Sequence, residues 1–202
     1  TWSPAQDPMI GTQDSKSDTC KNGSPWPAAG DALIEAMSPK VPIAFAVSGH
    51  KDSTIEQWQK SASVFGELGE SLFTYTSNLA TRFGSDGFRA VLWQQGESDS
   101  KLTMARQDYS ENLQNLVGDF RTKLSWESMP WLVAISSYCP SEDPYSAVRD
   151  AQSDVISGDE NIIFGPDLDE LKLDFRGNLE CNFNAKGIAE AGKLWSTSIW
   201  NF

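Results

Sequence analysis

Residues 94–99 read Gln-Gln-Gly-Glu-Ser-Asp and follow directly on the apolar run Val91-Leu92-Trp93. Two amides, a glycine and two carboxylates at the end of a buried run are costly unless each polar group finds a partner. Such a cluster has the make-up of a site that binds a polar ligand through hydrogen bonds. Gln95, Gly96, Glu97 and Asp99 are the first candidates for it. The segments 48–54 (SGHKDST), 137–143 (SYCPSED) and 166–183 are similarly polar and also follow apolar runs. Within them stand Gly49, His50, Asp52 and Ser53, with His50 the one histidine of the chain. The three cysteines, Cys20, Cys139 and Cys181, match no metal-ligand spacing, so no metal site is expected.

The elements that must hold these segments follow from periodicity. Apolar runs of strand length lie at 42–48, 88–94, 131–137 and 161–165. Between them, helical spacing predicts helices over 27–38, 63–83, 103–124, 145–156 and 184–200, with a short helix over 54–61. Pro27 suits a first helical turn. Within 103–124, Tyr109, Leu113, Leu116, Val117 and Phe120 recur on one face; within 63–83, Val64, Leu68, Leu72, Tyr75 and Leu79 do so, and Gly84 closes the run. Residues 1–25 are turn-rich and read as a long loop. Continuous apolar strands alternating with amphipathic helices predict one α/β domain over 1–202, a three-layer α/β/α sandwich around a parallel, flavodoxin-like sheet. Ligands of such sheets bind outside the carboxyl ends of the strands, where the four polar segments converge. No strand precedes the first helix, so the first strand is expected to be absent from this chain.

The chain has 202 residues and a formal net charge of -12, which disfavours nucleic acid as a partner. No apolar run has the length of a membrane span. Eight tryptophans are many for this length; they suit core packing, or, for one or two of them, a surface on which a flat ring stacks on a sugar.

The block Trp93-Gln94-Gln95-Gly96-Glu97-Ser98-Asp99 closely resembles the W-x-Q-G-E-x-D block of the SGNH-type carbohydrate esterases, in particular the sialate O-acetylesterase-like and acetylxylan-esterase-like group. GSPWPAAGDAL (23–33), STIEQW (53–58) and CNFNAKG (181–187) are similar to further blocks, so the resemblance spans about residues 23–195. It implies removal of acetyl groups from sugars without a cofactor. It also implies a serine nucleophile in an early G-x-S block, an Asp and a His from the last block, and an oxyanion hole to which Gln95 donates its side-chain amide. Glu97 and Asp99 would orient that amide or the substrate.

The sequence departs from this pattern in four places. No G-x-S block is present: Ser3, Ser15 and Ser17 precede the first helix, but none follows an apolar strand. Asn182 stands at the position of the base histidine, and an amide cannot accept a proton near neutral pH. Leu179 stands where the carboxylate is expected, with Glu180 and Asp174 nearby. Lys51-Asp52 replaces a glycine pair, although Gly49 lies close. The expectation is therefore a carbohydrate esterase domain impaired in catalysis, whose ligand is an acetylated oligo- or polysaccharide. The alternative is a non-catalytic glycan-binding or structural module on the same fold. A missing N-terminal segment or a partner chain would otherwise have to supply the nucleophile. Cys139 and Cys181 fall in two loops expected to neighbour each other and are candidates for a disulfide, which would imply a secreted or extracytoplasmic setting; the alternative is two buried thiols.

Overall fold

Val91–Trp93 (β1), Trp131–Ile135 (β2) and Ile162–Asp167 (β3) pair as parallel strands in the order β1-β2-β3. Val91 lies opposite Trp131, and Trp131 opposite Ile162. The computed structural model describes residues 4–7, 23–64, 69–83, 87–140, 146–177 and 181–202.

Every residue of β2 is buried, because the sheet is covered on both sides. Alternation sorts its side chains between two cores. Trp131 and Val133 face a cluster built by α2 (Leu72–Phe83), α4 (Arg106–Leu124), α5 (Ser146–Gly158) and the 3-10 turn Ile55–Trp58. The stripe Tyr109, Leu113, Leu116, Val117 and Phe120 of α4 is buried in it, as its spacing dictates. Edge-on aromatic contacts lock the layer, Phe120 on Trp131 at 5.6 Å and Trp58 on Trp93 at 5.3 Å. Leu132 and Ala134 face the opposite cluster, where α1 (Pro25–Ala36) and α6 (Ala185–Trp200) contribute Ala29, Ala191 and Trp195. Each fully buried leucine or tryptophan of this kind contributes roughly 1.5–3 kcal/mol. Helices therefore cover both faces of a parallel sheet, the α/β/α arrangement that the alternation of elements predicts.

Several boundaries differ from the sequence reading. Residues 42–48 form no strand. Their apolar side chains are used in packing: Val47 is buried and Phe45 lies 5.6 Å from Trp26. Hydrophobicity reports burial there, and it does not supply a neighbour for the backbone. The helix expected from 63 begins at Leu72; Val64 is exposed. Ser71 sets that start, since its Oγ accepts the Thr74 amide at 3.1 Å. The helix expected over 54–61 shrinks to the single 3-10 turn. The helix expected from 103 begins at Arg106, and a short helix that the pattern does not reveal, α3 (Glu97–Lys101), precedes it. Most of the predicted N-terminal loop, Gly84 and residues 65–68 lie outside the described residues.

Candidate functional site

The polar cluster begins where β1 ends. Gly96 turns the chain into α3 with a φ of 149°, a region that side chains other than hydrogen rarely allow. A Cβ at this position would lie 2.1 Å from the Ser136 carbonyl oxygen and 2.7 Å from Gln152 Nε2. The glycine thus lets the end of β1 press against the end of β2.

Gln95 is buried and every polar atom of its side chain is engaged. Its Nε2 donates to the Ser53 carbonyl at 2.8 Å and to the Asp99 carboxylate, while its Oε1 accepts from the Tyr109 hydroxyl at 3.1 Å. Its own carbonyl accepts from Tyr109 and from Gln152 Nε2, each at 2.9 Å. Asp99, fully buried one helical turn on, accepts the Ile55 amide at 3.0 Å. Ser53 Oγ accepts from the Trp58 indole and donates to the His50 carbonyl, both at 2.9 Å. The network therefore ties the 48–54 segment to the end of β1. An amide carries two hydrogens, and both of those on Gln95 are taken by Ser53 and Asp99. In this geometry the Gln95 amide braces two loops, and donation to a substrate oxyanion, the role expected for it, would require breaking one of these bonds.

Glu97 faces the other way. Its carboxylate accepts from Ser136 Oγ at 2.8 Å and lies 3.9 Å from the buried guanidinium of Arg176. Arg176 in turn donates to the carbonyls of Leu171 and Leu168, each at 3.0 Å, and to that of Cys181, and it stacks 4.0 Å over the Phe183 ring. Cys181 is bonded to Cys139. The loop bearing residue 182 is thus fixed over the same strand ends by a covalent link and an ion pair. Asp169 anchors the floor beneath it. It accepts the Ser137 amide at 2.7 Å, the Tyr138 amide at 2.8 Å, the Ser137 hydroxyl at 2.6 Å and Arg149 at 2.7 Å.

Burial sets the charge states. It pushes the Asp99 carboxyl up, and the bonds from Gln95 and Ile55 offset this only in part. Burial likewise raises Glu97, against the pull of Arg176 and Ser136, and lowers Arg176 against the pull of Glu97. At Asp169 burial is outweighed by the Ser137 hydroxyl and amide, Arg149 and the Tyr138 amide, so its pKa lies below the ordinary value.

The remaining expected residues sit apart from this network or at its margin. The side chain of Asn182 is exposed, and its carbonyl accepts the Gly177 amide at 2.9 Å. Asp52 is exposed with a φ of 55°, in the left-handed region that favours glycine. Gly49 has open space around its Cα, and the His50 ring lies 3.0 Å from the Lys51 carbonyl. Asp174 is exposed in the 3-10 turn Leu173–Phe175. Ser3, Ser15, Ser17, Cys20, Leu179 and Glu180 lie outside the described residues. Among the described residues, no group of three or more His, Cys, Asp or Glu side chains could hold a metal ion.

Sequence reasoning missed Gln152, Arg176, Asp169 and the supporting role of Tyr109. Gln152 left a readable trace: it is an amide within the apolar stripe Val148, Ala151, Val155 of α5, and it is fully buried. Its Oε1 accepts the Ser136 amide at 3.0 Å. Arg176 and Asp169 lie in a polar loop where nothing in the sequence distinguishes them from solvated neighbours.

Three comparisons bear on this arrangement. The family model described as carbohydrate esterase, sialic acid-specific acetylesterase, matches residues 1–187. Among solved structures, a protein from Arabidopsis thaliana is similar at 20% identity with a TM-score of 0.62, covering 86% of this chain and 67% of that one. A carbohydrate acetylesterase from Xanthomonas citri is similar at 16% identity with a TM-score of 0.57, covering 96% of this chain. The present chain spans 46% of the length of the Xanthomonas protein. No curated protein matches the chain.

Proposed function

The chain belongs to the sialic acid-specific acetylesterase family of carbohydrate esterases, and on that premise we propose that it binds acetylated carbohydrate at the strand ends without hydrolysing the ester by itself. The observation that carries this reading is the state of Gln95, both of whose amide hydrogens are held inside the protein by Ser53 and Asp99. An oxyanion donor is worth about 2.7–4 kcal/mol of barrier only when it is preorganised toward the developing charge. Asn182 at the position of the base adds to it, since an amide cannot relay the proton that ester cleavage by serine requires. The Cys139–Cys181 disulfide supports an oxidising, extracytoplasmic setting, where acetylated glycans are encountered.

The test combines turnover with binding. Acetate release from p-nitrophenyl acetate and from acetylated xylo-oligosaccharide should stay at the buffer rate for the chain and for Asn182→His. Calorimetry should still record binding of the acetylated oligosaccharide. Turnover that scales with protein and is abolished by a fluorophosphonate would overturn the proposal, because that reagent traps a working serine. Turnover only upon addition of a longer form or a partner chain would assign the nucleophile to that component.

A further inference from the structure

At the opposite end of the sheet from the polar cluster at the strand ends, the chain forms an open depression of about 760 Å³ lined by Arg121, Thr122, Ser125, Trp126, Glu127 and Ser128. These residues end α4 and lead into β2. The polar cluster includes Ser136, just past the other end of that strand. Five residues of strand separate the two by roughly 17 Å, so a ligand in one place does not occupy the other.

We propose that this depression is a second carbohydrate site, taking a neutral pyranose chain with Trp126 as the stacking platform. The proposal rests on the reading that the protein's ligands are carbohydrates, and it assigns a surface which that reading leaves unused. Ser125 adopts a left-handed conformation, and the Trp126 amide returns to the Arg121 carbonyl at 3.0 Å, closing the helix through the backbone. The residue after the turn is an indole that packs at the edge of the main core, T-shaped to Phe88 at 5.5 Å, and stays partly open to solvent. An indole face carries negative charge density and accepts the C–H face of a sugar ring. The exposed hydroxyls of Thr122, Ser125 and Ser128 and the Glu127 carboxylate lie around it, able to meet equatorial hydroxyls.

Charge decides the class of sugar. Arg121, the one cation of the lining, is already paired with Asp159 and donates to the Met129 carbonyl at 3.2 and 3.1 Å. Glu127 remains, so an anionic polysaccharide would meet a net negative rim on a chain of charge -12. A neutral chain meets no such penalty. The volume falls within the range of about 300–1,000 Å³ typical of ligand sites, and its open form suits the side of a polymer.

Amide chemical shifts of the labelled protein, followed during titration with unacetylated xylohexaose and cellohexaose at millimolar concentration, provide the test. With at least one of them, shifts are expected across 121–128 and not around 95–99. Trp126→Ala should weaken this binding by at least about tenfold, and Trp126→Tyr should restore most of it. Because truncating Trp126 also removes packing on Phe88, Glu127→Ala and Ser128→Ala provide rim variants at exposed positions; each should weaken binding measurably without altering the spectrum elsewhere. Unperturbed 121–128 amides with both sugars would overturn the proposal, as would binding that ignores all these variants. Shifts with acetylated ligand at 95–99 alone would leave the cleft reading standing and remove this one. Shifts at 121–128 alone, with either form of sugar, would do the reverse.

Discussion

At Gly96 the turn into α3 places a hydrogen where any other residue would drive a carbon into the Ser136 carbonyl, 2.1 Å away. Relief would require separating β1 from β2 and dislodging Gln152, which also holds Ser136 and Gln95. Gly96→Ala is therefore expected to cost at least about 3 kcal/mol, through strain and the loss of buried hydrogen bonds. Gly118, on the exposed side of α4 with nothing within 4 Å of an added Cβ, is the control. There alanine should stabilise by about 0.5–1 kcal/mol, because helix propensity alone acts. Chemical denaturation of both variants measures the contrast; equal effects would mean that the close approach at Gly96 does not exist.

The loop from Leu173 to Phe183 depends on links between elements more than on its own structure. Its described residues contain one 3-10 turn and one antiparallel bridge, between Arg176 and Phe183. What fixes it is the Cys139–Cys181 bond, spanning a sequence separation of 42, together with the contact of Arg176 with Glu97. Closing a loop of that size removes denatured-state freedom worth about 2–4 kcal/mol. Replacing both cysteines by serine should lower stability by that amount under non-reducing conditions. It should also raise hydrogen exchange at the amides of 176–183 while those of β2 keep their protection relative to global unfolding. Uniform loss of protection across the molecule would show that the disulfide supports the whole fold and not this loop in particular.

For the whole molecule, charge and burial act together on stability. Asp99 and Glu97 have folded-state pKa values above their ordinary ones. A carboxyl raised in the native state binds its proton more tightly there than in the unfolded chain. As pH falls through the folded value toward the ordinary one near 4, stability therefore rises. The net charge of -12 acts in the same direction, since protonation relieves self-repulsion. Asp169, Asp154 and Asp159 have the opposite sign: their pKa values are lowered, so their contribution is complete above the ordinary carboxylate range and is lost as pH falls below it. The melting temperature should thus climb from pH 8 toward pH 5 and drop below about pH 4. A profile that declines steadily from pH 8 downward would contradict the raised pKa values of Asp99 and Glu97.

The sequence by itself determined the layers, because helical and strand periodicities are local properties of the chain. The stripe of α4, the two-faced burial of β2 and the polar break after Trp93 can all be read without coordinates. It also determined that the Asn182 side chain cannot take a proton near neutral pH, since residue identity alone settles that. Tertiary structure decided whether polar groups were free or engaged. Gln95 reads as a free amide until Ser53 and Gln152, 42 and 57 residues away, are seen bonded to it beside Asp99 and Tyr109. It likewise decided that 42–48 packs without pairing and that an arginine in a featureless loop reaches Glu97. A hydrogen bond or ion pair has a range of a few ångströms in space and no range in sequence, so partners 40 or more residues apart leave no local pattern to read.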